Sequence, residues 1–387
     1  YPFAQERHWV EAPSAPVRQA QKVAPSIGHA WESANAVAHD MPSERTYVLE
    51  PHWSISRVDA DADPVSSLVV LAPSQADLAE AFPGKRCVVL APGDGGYPER
   101  ASQLLGYVQG LLAEGATNAL IQLVVGADEA ELVGLSALLG SVGQEITELE
   151  AQLIELDGDT ELVRAARVAA EASSGAARIR YRGDERWVPS YELEPAADGD
   201  VSPWRDGGVY LITGGAGGLG LVVAEAIAAE AREAVLVLTG RSALDADKRE
   251  RLGALEQRGA RGVYRGVDVS DASAVGALVD EVAGTYGGLT GVIHAAGVLA
   301  DAYVRDKTEA QLRSVLTPKV AGVEALDAAT ANESLDWFAL FSSTAGVFGN
   351  AGQADYAAAN GYLDAFAEWR ASRVAAGERS GRTVSIA

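Results

Sequence analysis

Long apolar runs, cysteine and surplus positive charge are all scarce in this chain of 387 residues. No uninterrupted apolar stretch approaches the roughly 18 residues that a membrane span needs, which predicts a soluble protein with no membrane partner. The opening segment YPFAQERHWV lacks the apolar core that follows the charged leader of a secretory signal. A single cysteine, Cys87, excludes an internal disulfide and points to a reducing cytoplasm. Set in the apolar run CVVLAP, it reads as a buried core thiol. Asp and Glu outnumber Lys and Arg by 54 to 31, and the net charge of −23 repels the phosphates of nucleic acid and anionic lipid. The five histidines are scattered. With no Cys/His cluster at metal-ligand spacing, no metal is expected.

A chain this long exceeds the size at which one core usually keeps growing, so two domains are expected. Residues 1–43, rich in Ala, Pro and His, read as a linker. Beyond them, short apolar runs alternate with amphipathic stretches. Strands are predicted at TYVLEPHW, SSLVVLAP, RCVVLAP, NALIQLVVG and AQLIELDG, with helices from Pro98 to Glu114 and Asp128 to Glu145. That alternation is the signature of a parallel α/β sheet. RIRYRG and RWVPSYEL look like a hairpin, and AADGDVSPWRDGG like a connection between domains. The second unit is more regular. Strands GVYLIT, AVLVLTG, VYRGVDVS, GVIHAAG, DWFALFSS and TVSIA are separated by helices Leu219 to Glu230, Asp245 to Arg258, Ala272 to Tyr286, Lys307 to Thr330 and Tyr356 to Ala376. The pattern predicts a doubly wound parallel sheet, whose ligands sit beyond the carboxyl ends of the strands.

The motifs fall at those ends. TGGAGGLG follows a strand and opens a helix, so backbone N–H groups and the positive helix end can receive a pyrophosphate, while Gly214, Gly218 and Gly220 permit close approach. Thr213, Gly215, Gly217 and Leu219 complete this loop. Alone, such a turn is equally a tight strand-to-helix connection. No Lys-Ser/Thr follows the glycines, which excludes the nucleoside-triphosphatase loop. The second strand ends in Arg241 and Ser242, where a cofactor without a ribose phosphate would find an acid; a fixed cation suits a 2′-phosphate and favours NADPH over NADH. Asp268, with Val269 beside it, either faces the adenine amine or caps the next helix. The fourth strand ends in His294, Ala295, Ala296 and Gly297, small enough for backbone to lie against a cofactor; His294 reads as a packing residue. The fifth strand delivers Ser342 and Ser343, and Tyr356 heads a helix beyond a glycine-bearing loop. A tyrosine, with an ordinary pKa of about 10, needs a nearby cation to act as acid or base near neutrality. One turn after Tyr356 stands Asn360, so the candidate cation is Lys319. Singly, Ser343 is a cap, Tyr356 an aromatic at a helix start and Lys319 a solvated lysine; on one rim beside a dinucleotide loop they form a site.

Together TGGAGGLG, LTGR, HAAGV, TPKVAG, FSSTAGVFGNAGQADYAAAN and VSIA resemble the ketoreductase domains of modular polyketide synthases, a branch of the short-chain dehydrogenase/reductases. In most short-chain dehydrogenases the lysine lies four residues after the tyrosine and an asparagine on the preceding helix. In these ketoreductases the two are exchanged, as in Lys319 and Asn360. The resemblance implies two Rossmann-like subdomains: a truncated structural one without cofactor over 44–205, and a catalytic NADPH-binding one over 206–387. YPFAQERHW is similar to the linker that trails an upstream ketosynthase. The resemblance further implies reduction of a 3-ketoacyl thioester on an acyl carrier protein among neighbouring synthase domains. Tyr356 would donate the proton, Ser343 hydrogen-bond the ketone oxygen, Lys319 favour the phenolate and hold the nicotinamide ribose, and Asn360 position lysine or water. In that family an Asp shortly after HAAG marks the B type, with a 3R product, and a Trp eight residues before the tyrosine marks the A type. Asp301 and Phe348 at those positions imply B type, although Ala300 replaces the first Asp of the usual LDD. The family continues past VSIA into a lid and a last strand, which are expected to lie outside this chain. Two other readings compete: a catalytically silent structural or docking module, and a free-standing alcohol dehydrogenase that would not need the first half.

Overall fold

The computed structural model describes residues 48–58, 68–91, 95–116, 118–194 and 202–387. The linker expected over residues 1–43 and the centre of the connection lie outside the described residues. In the first half, strands β1 (Val48–Ile55), β2 (Leu68–Leu71), β3 (Arg86–Val89), β4 (Ala119–Gly126), β5 (Leu149–Leu156), β6 (Arg178–Arg182) and β7 (Glu185–Glu194) make one seven-stranded sheet in the order β1-β7-β6-β5-β4-β2-β3. The stretch from β3 to β6 is parallel. The expected hairpin is present as β6 and β7, and β1 pairs antiparallel with β7. The sheet is therefore mixed, a correction to the parallel expectation. Its physical basis lies in the strands: β2 and β4 are wholly buried and, but for Gln122, apolar, whereas β1 is exposed along nearly its whole length and serves as an edge.

Helices α1 (Gly96–Ala113), α2 (Leu135–Glu145) and α3 (Glu161–Glu171) connect these strands. The helix expected from Asp128 begins instead as a 3-10 turn, Ala130–Gly134. Helix α3 has no counterpart among the predicted elements. Cys87 is half-buried rather than enclosed, because β3 is the far edge of the sheet, and partial burial pushes its thiol pKa up.

The second half follows its sequence pattern closely. Strands β8 (Val209–Thr213), β9 (Val235–Gly240), β10 (Arg261–Gly266), β11 (Gly291–His294), β12 (Trp337–Phe341) and β13 (Arg382–Ile386) form a six-stranded parallel sheet, order β10-β9-β8-β11-β12-β13. The winding reverses between β8 and β11, which opens a crevice above their carboxyl ends. Around the sheet lie α4 (Gly218–Glu230), α5 (Ala246–Gln257), α6 (Ala272–Tyr286), α7 (Glu309–Ala329), the short α8 (Thr344–Phe348) and α9 (Ala354–Ala375). Their starts are written in capping residues. Asp271 accepts from the N–H groups of Ser273 and Ala274, and Thr308 with Gln311 forms a capping box. The VDVS end of the third predicted strand lies past β10, and α8 was not expected.

The two halves share one apolar core: Leu104 and Leu138 from the first belong to the same cluster as Leu312, Val320 and Leu363 from the second. Helix α9 is the shared element. Its run Ala357-Ala358-Ala359 is wholly buried, and Tyr97 Oη donates to the Ala358 carbonyl at 2.8 Å. Most tightly, the 3-10 turn meets α9 backbone to backbone. A Cβ on Gly134 would stand 2.6 Å from the carbonyl carbon of Gly361, and one on Gly361 would stand 2.5 Å from the Gly134 oxygen. Neither neighbour is a side chain that can swing away. Gly134→Ala or Gly361→Ala is predicted to lower the stability by about 1–3 kcal/mol through overpacking. An unchanged denaturant midpoint in both variants would show that the contact is not tight.

Candidate active site

Glycine shapes the crevice first. Gly214 leaves β8 at φ 64°, and a Cβ there would lie 2.7 Å from the Ala295 carbonyl oxygen, so the loop presses on the HAAG segment. Helix α4 then starts at Gly217 without a side-chain cap, leaving its first N–H groups free for an anion. Two adjoining cavities of about 460 and 410 Å³ occupy the crevice. Between them they are lined by Gly214, Gly217, Gly218, Leu219, Gly220, Arg241, Ser242, Asp268, Val269, Ala295, Ala296 and Gly297. These glycine-walled cavities and the uncapped helix fit a dinucleotide.

Two residues expected in that set shape the wall without lining it. Thr213 is buried, with Oγ1 2.7 Å from His294 Nδ1, and the N–H of Gly215 bonds the Thr239 carbonyl at 3.0 Å. Lys248 and Tyr264 also line the crevice and were missed. Tyr264 Oη donates to the Ser242 carbonyl at 2.5 Å, which steadies the turn bearing Arg241. Lys248 sits in the first turn of α5, just beyond the capping Asp245.

Asp268 lines the cleft. Its Oδ1 accepts from the N–H and hydroxyl of Ser270 at 3.0 and 2.7 Å, and these bonds, with a smaller effect of Arg241, hold the carboxyl below its usual range. The cap of α6 belongs to Asp271. His294 is fully buried, which depresses its pKa to about 3, so the ring is neutral and packs.

Lys319 and Asn360 converge on Tyr356 beside this crevice, and Ser343 lies two residues past β12. Lys319 is only 4% exposed; its Nζ donates to the Phe341 carbonyl at 2.8 Å and stands 5.7 Å from the centre of the Tyr356 ring. Its Cε lies against Gly297, within 3.3 Å of where a Cβ would be, which places the cation between the crevice and the tyrosine. Asn360 Nδ2 donates to the Tyr356 carbonyl at 2.8 Å, while its buried Oδ1 has no partner. Ser343 caps α8 by accepting from the Ala345 N–H at 3.2 Å, and Ala345 joins Ala357 and Ala137 of the first half in a small buried cluster against which Tyr356 packs. Helix α9 begins two residues before Tyr356, so the tyrosine sits in its first turn.

At the rim, Gln353 Nε2 donates to both Asp301 oxygens at 3.2 Å. Phe348 packs against Tyr191 of β7 with the rings tilted by 50° and their centres 5.4 Å apart. Sequence reasoning also missed Asp364, two turns past Tyr356, where no motif spacing pointed. Burial pushes its pKa up to about 6 against the hydroxyls of Ser385 and Ser342 and the cations Arg178 and Lys319.

Burial likewise lowers the Lys319 pKa to about 8 from 10.5, opposed by Asp364. Between those pH values the unfolded chain binds the extra proton, so this site's contribution to stability rises with pH across the window. Relative to Lys319→Met, the wild type should gain on the order of 3 kcal/mol in unfolding free energy between pH 7 and 10.5. A constant difference would mean that Lys319 titrates normally.

Among the described residues no helix is long and apolar enough to cross a membrane. A KR-domain family model matches residues 208–383. The polyketide synthases PksN and PksL of Bacillus subtilis (strain 168) are 44% and 41% identical over 313 and 274 residues, covering 78% and 70% of this chain. The chain spans only 6% of the length of each. A crystal structure of a ketoreductase domain from the bacillaene assembly line superposes with a TM-score of 0.82 at 36% identity, covering 88% of this chain and 84% of that one.

Proposed function

The chain belongs to the ketoreductase-domain family of polyketide synthases, and on that premise we propose that it reduces the 3-keto group of an acyl thioester carried by an acyl carrier protein, with NADPH as reductant. The observation that carries this reading is the placement of Lys319 between the glycine-walled crevice and the Tyr356 ring. When bound, NADPH supplies the hydride. Tyr356 Oη gives its proton to the oxygen that was the ketone, and Ser343 Oγ orients that oxygen by a hydrogen bond. Lys319 stabilises the phenolate left behind. The unpartnered Oδ1 of Asn360 accepts from a water or from the lysine and so keeps a path for the proton's return. These roles follow chemical type and position.

The cofactor preference rests on charge. Arg241 is exposed at the crevice with Ser242 and Lys248 near it, a setting for a 2′-phosphate, while Asp268, which lines the same cavity, is already engaged by Ser270. Asp301 at the rim, held by Gln353, and Phe348 in place of tryptophan favour B-type delivery and a 3R alcohol. The first half is read as structural over 44–205 and the second as catalytic over 206–387. The shared core favours this over a free-standing dehydrogenase. In the synthase the partners are the acyl carrier protein and neighbouring domains.

In the full-length protein, a 3-ketoacyl thioester surrogate should consume NADPH faster than NADH and yield the 3R alcohol, and Tyr356→Phe should cut kcat by roughly 100-fold or more. No consumption by wild type would favour the silent structural module. A 3S product would reject the B-type assignment alone.

A further inference from the structure

One pair of buried charges lies next to this machinery without belonging to it. Lys307 Nζ stands 2.8 Å from Asp355 Oδ2, and both side chains are wholly inaccessible. Neither lines the cofactor crevice. Each also reaches a neighbour of a residue placed at the substrate. Lys307 Nζ donates to the carbonyl of Ala300, directly before Asp301, at 2.9 Å. Asp355 Oδ1 accepts from the backbone N–H of Tyr356 at 2.9 Å.

Ion pairs withdrawn from water this completely contribute little net stability, since desolvation offsets the attraction. What such a pair does well is fix geometry. Here it ties the irregular segment before α7 to the first turn of α9, and further bonds run the same way: Ala302 N–H to the Gly352 carbonyl at 2.9 Å, and Gln353 to Asp301. The first half closes the same seam, because Glu145 accepts from the N–H groups of Val304 and Gly352 through its two oxygens at 2.6 and 2.9 Å.

We propose that Lys307 and Asp355 are a positioning pair that locks the Asp301 segment to the first turn of the catalytic helix, and so sets how faithfully one face of the ketone is presented to Tyr356. This rests on the functional reading above but not on which enantiomer forms. The pair is absent from the chemistry itself: neither charge moves a proton in the reaction.

The test is the double substitution Lys307→Met/Asp355→Leu, which removes both charges and keeps the volume filled; either change alone would strand a buried charge. Expected are an NADPH Kd like that of wild type, kcat lower by roughly tenfold to a hundredfold with little change in KM, and a fall in the ratio of product enantiomers. Wild-type kcat with an unchanged enantiomer ratio would overturn the proposal. A second readout needs no turnover: amide hydrogen exchange over 298–306 and 350–358 should speed up in the folded double variant. Unchanged exchange there would overturn the proposal even if wild type reduced nothing, an outcome that would instead sink the functional reading.

Discussion

Everything at the candidate site depends on where helix α9 lies, and α9 lies where it does because two glycines let backbone touch backbone. Gly134 and Gly361 meet closer than any side chain would allow, and the alanines on either side of the contact are buried with it. A helix brought that near has little freedom to slide or rotate, since interiors at crystal-like density resist displacement. Tyr356, one and a half turns earlier on the same helix, inherits that restraint, and so does Asn360. On the proposed function, the first half thus acts by holding a helix of the second.

A second consequence concerns charge. The chain carries a net charge of −23, yet at the site a lysine is kept almost wholly out of water. Desolvation works against that cation and lowers its pKa to about 8, while Asp364 works the other way. The balance leaves Lys319 charged at neutral pH but close to titration, a state in which proton exchange with its surroundings is inexpensive. Lys307 is buried as deeply but has Asp355 in direct contact, and its role is fixation instead of proton traffic.

The second half was legible because its physics is local. Strands such as VYLIT, buried on both faces, read as continuous apolar runs, and helix starts are announced by Asp271 and Thr308. The motif residues likewise fall where strand ends must put them. The first half was less legible, since the antiparallel pairing of β1 with β7 is a decision about pairing partners, not about the strands themselves. Helix α3 was overlooked, and the 3-10 turn before α2 exists to serve Gly361, more than 200 residues away, a relation no local pattern expresses. Asp364, Lys248 and the Lys307–Asp355 pair escaped for the same reason: their meaning comes from what folding places opposite them. Thr213 and Gly215 were the reverse case, motif members that support the wall of the crevice instead of lining it.

If backbone contact fixes Tyr356 in this way, α9 is held as rigidly as the sheets and opens only when the whole molecule does. Amide hydrogen exchange on the wild type, resolved over residues 354–363 and over β8, tests it directly. Equal opening free energies for α9 and β8, both matching global unfolding, are the result predicted. Exchange across 354–363 through a separate, lower-energy opening would show that α9 loosens on its own and is not what fixes Tyr356.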